Sequence, residues 1–565
     1  MSPENNLQKQ EIVDELEARR ILLEDPDNFE ALCYMGLFHI RNKEFPESIG
    51  FFVNALKHQI ATNEVEVNLV SAISNLTKNA IESNECFPAE NLLSECLGAI
   101  PKNPSIYYFY SFFLSKFGKY EKALDLSEVG LKIDNRDVKL YDAMGLSYTG
   151  LGKYDLALNS FDQALQIDPK FASALINKSR ALIEIGQSND ALRILRDLVK
   201  SESENIHVLN NLGLALSDIK ELNESIKILE KAIEINNDFA EAHFNLARVL
   251  LMKGDYRRGW EEHEWRWKCR DFDSEFRKFP YQAWNGGDIK GKKILVWSEQ
   301  GIGDEIMFLS PLKQLISDGA TVVLECSDKL VNIFSRSLPD VTVVPRTMPP
   351  KNDTLMSDIE FQLPLASLSR FYRNSSESFS SNSGEYLFPK TSLVAQLNQR
   401  YRDLGDGPLV GICWRSGNLK VGAERSIPLK LWKEILIKRP CRFLSLQYGD
   451  SRSDTSIFKN NSDIHIHVDE KVNPLEDAES WFAQIAVVDL VISVDNSTIQ
   501  VSGSQGVPTW TLVNFNPEWR FGLRGEKNDW HPAMKVYRQH KEGEWESVIS
   551  KVADDFTGWL ETFIG

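Results

Sequence analysis

A 34-residue period runs through the first half of the chain, and it constrains the fold more than any single motif. Aligning Tyr107, Tyr141, Leu175, Leu209 and His243 keeps the positions that follow in register. Small residues recur at Ser111, Gly145, Ser179, Gly213 and Ala247, and again at Ala123, Ala157, Ala191, Ser225 and Gly259. Between the two sets lie Gly118, Gly152, Gly186, Lys220 and Gly254, followed in three blocks by Tyr120, Tyr154 and Tyr256. A period of this length marks one supersecondary unit stacked on copies of itself. Small residues let the two helices of a hairpin approach, and glycine caps the first helix in a left-handed conformation. Five blocks cover residues 104–270. An earlier block, Phe29 to Leu56, fits with Gly36, Ser48 and Ala55, whereas residues 60–100 fit poorly and read as a degenerate hairpin.

This pattern resembles the tetratricopeptide repeat (TPR), and residues 1–270 are expected to form a TPR α-solenoid. Such arrays present a concave face that takes an extended peptide or a partner helix; support of folding or homo-oligomerisation is the alternative use. Asn177, Asn210, Asn211 and Asn245 recur near the middle of the first helices. They read either as exposed amides for a peptide backbone or as structural asparagines.

After Gly259 the repeat is overwritten by Trp260-Glu261-Glu262-His263-Glu264-Trp265-Arg266-Trp267. Helical spacing puts Trp260, Trp267 and His263 or Glu264 on one face, suited to a buried junction. Asp271-Phe272-Asp273 has the Asp-x-Asp form of a metal pair, but it follows a helix in a polar stretch and is discounted. Residues 271–291 read as a linker.

From Lys292 the apolar runs become short and β-branched, at 293–298, 321–326 and 341–344, with extended pieces near 359–364 and 385–388. A serine-rich segment, Arg373 to Ser383, reads as a mobile loop. A second set follows at 409–414, 443–446, 464–468, 490–494 and 509–513. Strands alternating with helices imply a parallel sheet in each of two lobes, 292–390 and 391–540, with a C-terminal helix at 541–565 packing on them. Ligands bind such sheets beyond the C-terminal strand ends. The candidate residues are therefore Glu299, Gln300, Gly301, Gly303, Asp304 and Glu305 in the first lobe. In the second they are Arg415, Ser416, Gly417, Arg425, Gln447, Asp495, Asn496, Ser497 and Thr498. An arginine, a hydroxyl and a helix start are the residue types that hold phosphate. Helix capping alone accounts for Asp495 or Asn496.

Gly301-x-Gly303, with Glu325 ending the second strand, also reads as a dinucleotide fingerprint. Its third glycine is replaced by Ile306, and Asp304 would repel the pyrophosphate. Gly303-Asp304-x6-Pro311 with Asp495-Asn496-Ser497-Thr498 instead resembles the heptosyltransferase-related GT-B glycosyltransferases. With the tryptophan-rich segment, Arg425-Ser426-Ile427-Pro428-Leu429, Ser445-Leu446-Gln447 and Pro517-Glu518-Trp519-Arg520, the chain resembles bacterial TPR glycosyltransferases, including those that modify flagellin. The resemblance implies an α plus α/β multidomain fold: a TPR solenoid, then a GT-B pair of Rossmann-like lobes. It implies Asp304 as the base, with Glu299 and Glu305 as rivals. Arg415 and Arg425 would neutralise phosphate charge, Ser497 and Thr498 would bind phosphate, Asp495 would contact the sugar or orient the loop, and Gln447 would read base or ribose. Heptosyltransferase-like enzymes often carry a histidine after the aspartate, where this chain has Gln500. The expected reaction is metal-independent transfer, without a cofactor, from a nucleotide-sugar to a hydroxyl of a protein acceptor such as flagellin on the concave TPR face. A non-catalytic adaptor and a glycan or lipid glycosyltransferase are the alternatives.

A net charge of −17 argues against a nucleic-acid coat or an anionic membrane surface as partner. The seven cysteines are scattered and never closely paired, which fits reduced thiols. The first twenty residues show no apolar signal core and no run reaches membrane-spanning length, so the expectation is a cytoplasmic protein.

Overall fold

The computed structural model describes residues 3–58, 63–270, 272–379, 384–418, 422–459, 461 and 463–564. Fifteen α-helices occupy Pro3–His263 among them. From residue 104 the first helices of successive hairpins begin at Pro104, Val138, Ala172, Ile206 and Ala240, 34 residues apart. The turn after each first helix is left-handed: φ is 74° at Gly118, 69° at Gly152, 78° at Gly186, 67° at Lys220 and 87° at Gly254. Lys220 adopts this conformation without glycine, at a steric cost of roughly 1–2 kcal/mol, which is how the register survives that substitution. Residues 63–99, expected as a degenerate hairpin, form two helices, Asn63–Ser83 and Cys86–Ala99.

The chain divides into two compact units, Met1–Glu221 and Leu222–Gly565. In the first, close helix approach is visible at Gly145, where an added Cβ would lie 2.4 Å from the ring of Phe161. Gly36 stands in the same relation to Phe52, at 2.6 Å. The recurrent asparagines are structural. Asn177 donates to Asp142 (2.8 Å) and Asn211 to the Ile176 carbonyl (3.2 Å), each reaching the neighbouring repeat. Asn210 and, in the second unit, Asn245 are buried.

The second unit holds two wholly parallel sheets. The first lobe contains β1 (Gln282–Ala283), β2 (Lys293–Trp297), β3 (Thr321–Cys326), β4 (Thr342–Pro345) and β5 (Phe361–Pro364), in the order β1-β5-β2-β3-β4. The second contains β6 (Leu409–Cys413), β7 (Arg442–Ser445), β8 (Ile466–His467), β9 (Leu490–Val494), β10 (Thr509–Val513) and β11 (Met534–Arg538), in the order β11-β10-β9-β6-β7-β8. Strands β6, β9 and β10 are buried along their whole length, which is why they read as largely apolar runs with no charged residue.

Several expectations change. The stretch 271–291 is more than a linker: β1 pairs with β5, Trp284 is buried, and Arg277 is buried against Glu325 (2.6 Å). Asp271 of the discounted acidic pair lies outside the described residues, as do residues 380–383 of the serine-rich segment. Residues 385–388 form no strand. Instead Tyr386 and Leu387 both donate backbone N–H groups to the Ser504 carbonyl (2.9 and 3.2 Å), which leaves them unavailable to the first sheet. The C-terminal helix, Glu546–Ile564, packs on one lobe where both were expected. Its Val548, Val552 and Phe556 enter a core that includes Val410 and Trp432 and comes wholly from the second lobe.

The tryptophan-rich segment is part of the second unit's interior. Its helix ends at His263, and residues 264–268 tighten into a 3-10 turn. Trp260 donates Nε1 to the Arg373 carbonyl (2.7 Å) and sits edge-on to Phe308, Trp519 and Trp530. Arg266, fully buried, makes a bidentate pair with Glu299 (2.7 and 2.8 Å) and also donates to Ser367 (2.9 Å). Removing one partner of such a pair leaves a buried charge uncompensated, so Glu299→Ala is expected to lower stability by about 3–5 kcal/mol in denaturant titration. Gly145→Ala is expected to destabilise the first unit by about 1–3 kcal/mol through overpacking. Gly98→Ala, whose new Cβ would meet nothing within 4 Å, should instead be neutral or stabilising by up to about 1 kcal/mol.

Candidate functional site

The C-terminal strand ends of the two sheets meet. In the first lobe β2 runs into Ser298–Gly301 and then the helix Ile302–Phe308; in the second β9 runs into Asp495-Asn496 and then the helix Ser497–Ser504. The turn before the first helix is forced by Gln300, which has a left-handed φ of 61° and donates its N–H to Ser274 Oγ (2.7 Å). Gly301 then opens the helix without a side-chain cap. The two helices pack so closely that an added Cβ on Gly303 would lie 3.3 Å from Ser497 Oγ and 3.6 Å from Gln500. A side chain at position 303 would require Ser497 to give by a few tenths of an ångström.

A chain of ion pairs runs through this meeting place. Asp304 Oδ1 pairs with Arg520 Nη1 at 3.0 Å, and its side chain is 30% exposed. Arg425 pairs with Asp495 (3.0 Å) and with Glu518 (2.5 Å). Burial pushes the Glu518 carboxyl up, but Arg425, Arg520 and Arg248 outweigh it and hold it at about 2. Arg425 is thus engaged by two carboxylates. Arg415 is the more available cation: it is 40% exposed, pairs with Asp454 at 3.3 Å, donates to the Asp450 carbonyl, and its Nε makes no hydrogen bond.

Other candidates serve the architecture of the site. Gln447 Oε1 accepts from the N–H groups of Trp414 (3.2 Å) and Arg415 (2.9 Å), while Nε2 donates to the Arg415 and Tyr448 carbonyls. Its amide is used up in fixing the 414–415 backbone, so it has nothing left to read a base. Asn496 caps the helix through Thr498 N (3.0 Å) and donates to Cys413 Sγ (2.9 Å) and the Arg415 carbonyl. Thr498 is fully buried beside the Cys413 thiol, which removes its hydroxyl from the cleft. Ser497 remains half-buried at the helix start. Ser416 N donates to Ser426 Oγ (3.1 Å), and a Cβ on Gly417 would lie 2.6 Å from the Tyr448 ring.

Of the acidic rivals to Asp304, Glu299 is consumed by Arg266 and by the Ala366 N–H (3.1 Å). Glu305 lies buried beneath the cleft and accepts from Ser327 N (2.8 Å); burial pushes its carboxyl up to about 7. Glu325, the ribose-binding acid of the dinucleotide alternative, is sealed against Arg277. A cavity of about 300 Å³ opens beyond β7 and β8, lined by Ser445, Gln447, Asp450, Glu470, Asn473 and Gln484 among others. Among the described residues no group of three His, Cys, Asp or Glu side chains is placed to hold a metal ion.

Three residues with roles here carried no assignment from the sequence: Arg266, Arg520 and His531. His531 bonds to Gln500 Oε1 (2.7 Å) with its ring against Gly503, and burial holds it at about 3. His531 thus lies buried behind Gln500. No sequence signal links positions so far apart.

The fold and its repeats define a protein with a helical TPR array followed by parallel-sheet lobes. Models of the tetratricopeptide repeat match residues 148–210 and of the TPR repeat residues 213–254. Among curated relatives, Protein FlbA of Caulobacter vibrioides is 29% identical over 332 residues, covering 56% of this chain. The chain spans 55% of that relative's length. Solved structures that it resembles include a thermophilic TPR protein of Thermus thermophilus, 18% identical, covering 32% of this chain and 99% of that one, TM-score 0.30. Another is a tetratricopeptide repeat protein from Parabacteroides merdae, 16% identical, covering 41% and 90%, TM-score 0.34. No helix among the described residues is long and apolar enough to cross a membrane.

Burial raises the Glu305 carboxyl above its ordinary 4.5, so the folded state holds a proton that the unfolded state releases. The resulting stabilisation is complete below pH 4.5 and is lost as pH rises through about 7. Glu305→Gln keeps an acceptor for Ser327 N but cannot ionise. Its melting temperature is expected to match the wild type near pH 4.5 and exceed it at pH 8, read by thermal denaturation across that range.

Proposed function

We propose that the chain is a glycosyltransferase moving a sugar from a nucleotide-activated donor to a hydroxyl of a protein acceptor, such as flagellin, taken by the TPR array. On this reading the two lobes form a GT-B pair. The observation that supports it most is the meeting of a half-buried carboxylate, Asp304, with the arginine-bearing loops of the second lobe at facing C-terminal strand ends. Ligands of open parallel sheets occupy that position.

Asp304 accepts the acceptor hydroxyl's proton through Oδ2, since Oδ1 is held by Arg520. The acceptor oxygen then bonds to the anomeric carbon while the bond from that carbon to the phosphate oxygen breaks, and the nucleotide leaves with the electron pair. Arg415, with its unpaired Nε, and the start of the helix Ser497–Ser504 stabilise the charge that develops on the leaving phosphate. The 300 Å³ cavity next to Gln447 takes the nucleoside. Asp495 and Glu518, held by Arg425, are placed for sugar hydroxyls.

One observation favours a second reading, a TPR adaptor with non-catalytic lobes: Arg415, Arg425 and Arg520 each already carry a carboxylate partner. A thermal-shift screen with UDP-, GDP-, ADP-, TDP- and CMP-sugars separates the two. A donor at a hundred times its Kd should add about 2.7 kcal/mol of stability, reduced in Arg415→Ala. With that donor, Asp304→Asn should keep the shift and lose turnover by about 10²–10⁴-fold. Stabilisation by none of them would favour the adaptor.

A further inference from the structure

We infer that Arg520 is a positioning residue for the base, acting from the second lobe on a carboxylate of the first. The inference rests on the transferase reading above and goes beyond it, because that reading assigns Arg520 no function of its own.

The turn that carries Arg520 is held at many points. Trp519 packs edge-on against Trp260 and lies near Phe308 and Trp530. The Arg520 carbonyl accepts from Asn528 Nδ2 (3.1 Å). Arg538, on β11, gives its guanidinium to the carbonyls of Phe521, Gly522 (3.0 Å) and Gly525 (3.0 Å), all in the same turn. Gly522 turns the chain back with a left-handed φ of 59°. A largely buried arginine bonded to three carbonyls fixes backbone, and here it fixes the backbone on which Arg520 stands.

From that platform the Arg520 side chain, 14% exposed, reaches across the lobes to Asp304 Oδ1 at 3.0 Å. Its Nε is buried without a hydrogen bond. Among the described residues the carboxylate hydrogen-bonded to this guanidinium is Asp304, from the first lobe, while Asp495 and Glu518 act on it at longer range. Holding Oδ1 leaves Oδ2 as the proton acceptor and fixes its direction. Asp304 stands on a helix of only seven residues, with no second polar contact among the described residues to orient it. Asp304, Asp495 and Glu518 all act on the Arg520 guanidinium, Arg425 pairs with the last two, and Glu305 neighbours Asp304 on its own helix. Arg520 is the cation paired directly with Asp304, at 3.0 Å.

The test compares wild type with Arg520→Gln and Arg520→Lys, using the nucleotide-sugar found in the thermal-shift screen and following nucleotide release. Arg520→Gln is expected to lower kcat at least tenfold with donor KM changed less than threefold. Arg520→Lys, which keeps a cation but loses the fork, should restore part of kcat. A packing role alone would raise donor KM as kcat falls and would leave Arg520→Lys as slow as Arg520→Gln. If Arg520→Gln proves unfolded by circular dichroism, Arg520→Lys decides: wild-type kcat overturns the inference. Wild-type kcat in a folded Arg520→Gln overturns the inference alone. Absence of turnover by the wild type overturns the transferase reading and this inference with it.

Discussion

The pair between Arg266 and Glu299 is the interaction on which the second unit depends. Arg266 follows the last helix of the repeat region, and Glu299 stands in the loop just beyond the end of β2. Both are buried, so neither charge tolerates loss of the other, and Glu264, Ser367 and the Ala366 N–H complete the set. A pair of this kind adds little net stability over an apolar replacement, but it penalises any arrangement that separates the partners. It fixes where β2 ends relative to the helices before it. The turn at Gln300 and the helix carrying Asp304 start from that point.

With β2 fixed, the cleft follows from two further constraints. At Gly303 the helix Ile302–Phe308 packs against the helix Ser497–Ser504, and one apolar core runs through both lobes and includes Trp260. Polar groups that cannot be hidden in this core are paired with one another, as in the sequence Asp304, Arg520, Glu518, Arg425 and Asp495. Mutual pairing gives these groups partners in a partly dry place. It also means that a ligand must compete with partners already present, and Arg415 is the cation that has surrendered least.

Much of the helical half was legible in the sequence because its contacts are local and repeated. Gly145 under Phe161 and the left-handed turns at Gly118, Gly152 and Gly186 each express a constraint contained within one hairpin. Lys220 shows the limit of that legibility, since the conformation persists where the glycine does not. The strands β2, β3, β6, β9 and β10 were also readable, because burial on both faces makes them largely apolar runs. The two-residue β1 and the alternating β11 were not, since their place at the sheet edges leaves weak apolar signals.

Side-chain roles divided differently. Asp304, Arg415 and Asp495 lie where strand ends predicted candidates, and the sequence alone brought attention to them. It could not show that Gln447 and Asn496 spend their amides on backbone, that Thr498 faces Cys413, or that Glu299 belongs to Arg266. It also could not place Arg520 beside Asp304, more than two hundred residues away in the chain. Periodicity and apolar runs report which residues are buried and in what local conformation. Which donor meets which acceptor is decided only when the sheets pack, because a buried polar group takes whichever partner the tertiary fold brings within reach.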